Sequence, residues 1–168
     1  MIITYWIVRD NEEYLPSMSY AYLAGDFNAL LQAIEIDKGQ SLNSDLKELI
    51  IKYYEECPLE SKRKFPYAML ILARRMFTFN ETDLFIKICG EFMTNIQGMD
   101  NLDADYKNKL LGEYELLLSF TGYNDIEKMS EYHRRASVLL TSPSSILDGR
   151  GSWTFGSRLS AALMVLLD

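Results

Sequence analysis

The sequence predicts an all-α protein built as a row of antiparallel helical hairpins. Three observations predict it. Apolar residues recur at the three-and-four spacing of one helix face in segment after segment, as in Leu110, Leu111, Tyr114, Leu117, Leu118 and then Ile126, Met129, Tyr132, His133, Ala136, Leu140. Short turn signals, Gly25-Asp26, Asn80 and Gly122-Tyr123-Asn124-Asp125, separate these segments at hairpin length. Strict alternation of apolar and polar residues, the mark of a half-buried strand, is not sustained beyond the amino terminus.

Taken in order, Ile2, Ile3, Trp6 and Val8 are expected to be the last turns of a helix, with a strand-like run as the other reading. Pro16 suits the first turn of a helix reaching Ala24, which Gly25-Asp26 ends. Phe27, Leu30, Leu31, Ile34 and Ile36 make a second helix that stops near Lys38-Gly39 and completes the first hairpin. Asn43 or Ser44 caps a third helix carrying Leu46, Leu49, Ile50, Tyr53 and Tyr54, and the chain leaves it before Cys57-Pro58. The stretch CPLESKRKFP, with a proline near each end, reads as a turn. From Pro66 a fourth helix is apolar nearly all round, which makes it central. A fifth, after Asn80, uses Leu84, Phe85, Ile88, Cys89, Phe92, Met93 and Ile96 and closes at Gly98. Asp100 to Asp105 opens the sixth, which runs to the Gly122 turn, and the seventh follows it.

A two-helix unit cannot bury both faces alone and needs neighbours. The expected architecture is therefore an incomplete solenoid with tetratricopeptide-like packing, formed from degenerate repeats in one domain over residues 1–168, with 1–12 and 158–168 as atypical ends. The strict tetratricopeptide signature is absent, but Met129, His133 and Ala136 reproduce the spacing of small, aromatic and small positions on the second helix of such a repeat.

Composition bounds the function. At 168 residues, with 48% hydrophobic and 24% charged side chains, the chain has the balance of a globular domain. A net charge of −7 repels phosphate backbones unless cations gather in one place. Lys62-Arg63-Lys64, Arg74-Arg75 and Arg134-Arg135 are instead scattered, and are expected on solvated faces and turns, so neither direct nucleic-acid binding nor a membrane partner is expected. No apolar run reaches the roughly 18 residues of a membrane span, and the amino terminus lacks the cationic start of a signal peptide. Cys57 and Cys89 have no CxxC spacing and suit a reduced, cytoplasmic setting. Asn80-Glu81-Thr82 is a glycosylation sequon without meaning there.

No catalytic constellation, metal site or cofactor motif is legible. Asp100, Asp103 and Asp105 lack the register and glycine of a calcium loop and are expected to cap a helix. His133 is the single histidine, expected as a packing residue. Arg134-Arg135-Ala136-Ser137 matches a basophilic kinase site only by placing its serine in mid-helix. The candidate binding residues are Trp153, Thr154 and Phe155, in the glycine-punctuated loop from Gly149 to Gly156, and Tyr114, Tyr132 and His133 on the last hairpin. The first reading of that loop is an inter-repeat turn whose aromatics fill the groove, with a ligand- or partner-facing loop as the second, and core packing accounts for most of the eleven tyrosines.

Several phrases carry a family resemblance. YLAGDFNALLQAIEIDKG, KELIIKYYEECP, PYAMLILARRMFTFNETDLFIKICGEF, LLGEYELLLSFTGYNDIEKMSEYHRRASVLL and GRGSWTFGS resemble the helical sensor region of large LuxR-type transcriptional activators similar to the maltose-regulon regulator, over about Glu13 to Ser157. In that family a nucleotide-binding module precedes tetratricopeptide-like helices, which sense inducer and partner proteins, and a carboxy-terminal helix-turn-helix binds DNA. The GxxxxGK[ST] phosphate loop and a basic recognition helix are both missing here, so ATPase activity and DNA binding are not carried over. After Ser157, Arg158-Leu159-Ser160 and AALMVLLD replace the proline-containing start of the family's next helix, and the chain is expected to be a fragment of such a regulator. The resemblance implies a non-catalytic sensor or scaffold segment binding a small-molecule inducer or a protein partner. The competing expectation is a self-association module that pairs into a homodimer through AALMVLLD.

Overall fold

The computed structural model describes residues 14–99, 102–122 and 124–146. Among them are eight α-helices and no strand: α1 Tyr14–Leu23, α2 Phe27–Asp37, α3 Lys47–Glu55, α4 Leu59–Lys64, α5 Pro66–Thr78, α6 Thr82–Gln97, α7 Ala104–Ser119 and α8 Ile126–Leu139. The all-α expectation therefore holds. The helix expected over residues 1–9 lies outside the described residues.

The turns show why the helices stop where they do. Gly25 takes φ +70°, and the amides of Gly25 and Asp26 fold back on the carbonyls of Tyr22 and Ala21, which ends α1. Asp26 then accepts the Ala29 amide at 3.0 Å and starts α2. Asn80, with φ 61°, repeats the manoeuvre between α5 and α6 through amide bonds from Asn80 and Glu81 to Phe77 and Met76. Asparagine tolerates that left-handed conformation better than most residues. Asp103 and Asp125 accept the amides of Tyr106 and Lys128 and begin α7 and α8. Of the acids expected to cap the sixth helix, Asp103 does so through its side chain, and Asp100 lies outside the described residues.

Two details differ from the expectation. The third helix begins as a single 3-10 turn, Ser44–Leu46, capped by Asn43 through the Asp45 amide. The stretch CPLESKRKFP is not a plain turn: α4 occupies Leu59–Lys64 within it, burying Ser61 and Lys62. Six residues show no helical period, so this helix depends on its packing against α2 and α5.

Helix pairs α1–α2, α5–α6 and α7–α8 each pack along their length, and α5 joins them by packing on both α2 and α7. One continuous core results, with Leu30, Leu31 and Ile34 from α2, Met69, Leu70 and Leu72 from α5, Ile88 and Phe92 from α6 and Leu110 and Leu117 from α7. Each such side chain contributes roughly 1.5–3 kcal/mol by leaving water. Gly39, at φ +69°, allows α2 to end against α5, since a Cβ there would stand 2.5 Å from Ile71 Cγ2. The aromatic pairs Phe77–Phe85, Phe77–Phe120 and Phe92–Tyr114 tie α5, α6 and α7 together with ring centroids 5.4–5.5 Å apart.

Candidate binding site

Buried polar groups gather where α5 packs on α2 and on α7. The start of α5 has no side-chain cap of its own, because Phe65 precedes it. Glu35, from α2, supplies one across the interface: its Oε1 accepts the Ala68 amide at 3.0 Å. A carboxylate at a helix amino terminus also meets the positive end of the helix dipole. Burial nevertheless raises the Glu35 pKa, against the lowering effect of the Ala68 and Tyr67 amides. Two residues on, Asp37 accepts both the amide and the hydroxyl of Ser41 at 2.8 and 2.9 Å, and burial raises its pKa while Arg75 opposes the shift.

Arg74 and Arg75 correct the expectation of solvated cations. Arg74 is 8% exposed. It donates to the carbonyls of Ile146 and Lys38, and Arg75 donates to the carbonyl of Gly39. Burial lowers the Arg75 pKa. Lys62 is also buried, 3.9 Å above the Tyr54 ring and 3.5 Å from Glu91. A cation in such a place survives desolvation through its paired anion and the ring face.

On α7, Glu113 is 1% exposed. Both its oxygens are engaged, one by the Ser144 hydroxyl and the other by the Ser145 amide. Beside it the Tyr67 hydroxyl is shut from solvent and meets no hydrogen-bond partner among the described residues. Burial first, then the negative potentials of Glu113, Tyr106 and Glu35, hold that phenol above its ordinary range. The Tyr67 and Tyr106 rings meet edge to face at 5.9 Å, and Lys109 lies 5.8 Å over Tyr67. Tyr106 is partly open to solvent, so the cluster runs from the core to the surface.

Of the residues expected from the sequence, Tyr114, Tyr132 and His133 lie elsewhere, on α7 and α8. Trp153, Thr154 and Phe155 fall outside the described residues. Tyr114 is half-buried and stacked on Phe92, and burial pushes its pKa up to about 12, with further contributions from Cys89, Glu115 and Tyr132. Tyr132, on α8, has Arg135 over its ring at 4.6 Å, and Arg135 pairs with Glu115 at 2.9 Å and Glu131 at 3.1 Å. The structure thus brings Tyr114 and Tyr132 into one neighbourhood between α7 and α8. His133 is half-buried, and burial lowers its pKa.

Sequence reasoning missed Glu35, Arg74, Arg75 and Glu113 as site residues. The available signal was a charge inside an otherwise apolar face, MLILARRMF for the arginines and LLGEYELLL for the glutamate. Cys57 and Cys89 are free and buried, their pKa values pushed by burial to about 11 and about 12, which keeps both thiols protonated and unreactive near neutrality. Among the described residues no cluster of three metal-ligating side chains occurs, and no helix is long and apolar enough to cross a membrane. No protein-family model, curated protein or solved structure matches the chain.

Proposed function

We propose that this chain is a non-catalytic helical-repeat segment, with tetratricopeptide-like stacking, of a LuxR-family transcriptional regulator, working in the cytoplasm as a sensor or scaffold for a small inducer or a protein partner. One observation carries the reading. The phrases that resemble that family coincide with structural units: YLAGDFNALLQAIEIDKG spans the α1–α2 turn, PYAMLILARRMFTFNETDLFIKICGEF covers α5 and most of α6, and LLGEYELLLSFTGYNDIEKMSEYHRRASVLL covers most of α7 and α8. Two of these phrases each take in most of a helix pair, which is the extent a resemblance carried by repeat units would have.

The test is a thermal-melt screen of the chain against small metabolites and peptides, run beside light scattering over a hundredfold range of protein concentration. A ligand at about 100 times its Kd adds about 2.7 kcal/mol, a rise of roughly 5–10 °C for a domain of this size. Replacing Trp153 by Ala should remove that rise. A melting temperature that follows protein concentration and ignores every compound would instead identify a homodimerisation module.

A further inference from the structure

Residues 140–146 leave α8 as a non-helical strap, with Leu140 at φ −89° and ψ 119°. The strap returns across the junction of α5 and α7, and Gly112 makes room for it: a Cβ there would stand 2.6 Å from Leu140 Cγ. Thr141, Ser142 and Pro143 are exposed. The last three residues are not. Ile146 is 1% exposed and belongs to the core, while Glu113 takes the Ser144 hydroxyl and the Ser145 amide, and Arg74 donates to the Ile146 carbonyl. Ser144 in turn accepts the Ile146 amide at 3.2 Å.

Two of these contacts read main chain. Burying a carboxylate and a guanidinium is expensive, and well-packed apolar residues would stabilise a core at lower desolvation cost. Here each charge gives one of its contacts to main chain, Glu113 to the Ser145 amide and Arg74 to the Ile146 carbonyl, beside a socket filled by one aliphatic side chain. A donor, an acceptor and an apolar pocket set around a bent stretch of main chain, Ser145 and Ile146, are the parts of a peptide-recognition site.

We propose that the junction of α5 and α7 is such a site, that Ser144-Ser145-Ile146 is its resident intramolecular ligand, and that a Ser-Ser-apolar segment of a partner protein, taking the same bend, displaces it. The inference rests on the partner-binding reading above and names the partner's chemistry. Arg74 gives the exchange a consequence, because the same guanidinium also holds the Lys38 carbonyl at the end of α2. Loss of the strap would release one contact of a side chain that links α2 to α5.

The test uses a fluorescent peptide of residues 140–146, LTSPSSI, titrated by anisotropy into the full chain and into its Ile146→Asp variant, with circular dichroism confirming that each is folded. The tethered strap competes at an effective concentration on the order of mM, so the native chain should bind the peptide at least about tenfold more weakly than Ile146→Asp. Adding Glu113→Ala to Ile146→Asp should reverse that gain. Equal binding to the native and Ile146→Asp chains, or a gain that Glu113→Ala leaves intact, overturns the proposal. Should Ile146→Asp not fold, Ile146→Ala takes its place; if neither keeps its helices, the strap is a part of the core and not a ligand, and the proposal falls. A small molecule that raises the melting temperature while the peptide fails leaves the sensor reading standing. Peptide binding with no such molecule overturns the inducer half of that reading and keeps the site.

Discussion

Helices α5 and α8 are nearly equal in length, yet α5 buries Pro66, Ala68, Met69, Leu70, Ile71, Leu72, Ala73, Arg74 and Met76, whereas α8 buries Ala136 alone. The difference follows from neighbours. Among the described residues, α5 is packed by α2, α4, α6 and α7, whereas α8 packs mainly on α7 and on the 3-10 turn Phe120–Gly122 before it. Each helix's burial follows from the helices packed around it, and stability is shared unevenly between hub and edge. The large apolar residues of α8 reflect this, with Ile126 and Val138 71% and 81% exposed.

The contrast is broken most directly by truncation. Leu72→Ala, at a fully buried position of α5, should cost about 3 kcal/mol in urea denaturation. Val138→Ala on α8 should stay within about 0.5 kcal/mol. Similar losses at the two sites would remove the hub-and-edge distinction.

Glycine substitutions sharpen it at the hub. Gly39→Ala meets both the positive φ and the Ile71 methyl, and should cost about 1–3 kcal/mol. Gly90→Ala, on the exposed side of α6 where an added Cβ meets nothing within 4 Å, should stabilise by up to about 1 kcal/mol. The pair is measured by thermal and urea unfolding, and a destabilised Gly90→Ala would contradict the packing described for α6.

Titration separates the two regions by sign. Burial raises the folded pKa of Glu35 and Asp37 above their ordinary 4.5 and 3.8, so the folded state holds their protons more tightly. Their contribution is full below those values and is lost as pH rises through the folded pKa values. Burial lowers His133 below its ordinary 6.5, so its contribution is present above pH 6.5 and lost as pH falls through the folded value. Unfolding free energy followed from neutral pH downwards should therefore show a loss that His133→Gln abolishes and a later gain that Glu35→Gln diminishes. A loss on acidification that persists in His133→Gln would contradict the burial assigned to α8's inner face.

The helices were largely legible because their ends are written locally. Asp26, Asp103 and Asp125 cap within three residues, and Gly25 and Asn80 turn the chain in the left-handed region. Helix α4 was not legible, since Ser61 and Lys62 are buried only by virtue of elements remote in sequence. The same reason hides the polar junction. Glu113 and Ser144 stand far apart along the chain, as do Arg74 and Ile146, and a charge in an apolar run reads as solvent-facing until its partner is known. Tyr114 and Tyr132 were picked out by helical period, which places a residue on an inner face but does not separate a packed ring from a binding one.

Native-state hydrogen exchange distinguishes a hub at α5 from an edge at the α7–α8 pair among the described helices. With α5 as the hub, the amides of Leu70, Ile71 and Leu72 should exchange only with global unfolding, while those of Tyr132, His133 and Arg134 exchange through a smaller opening that leaves α5 protected. Equal protection of α5 and α8 under all denaturant concentrations would contradict that distinction.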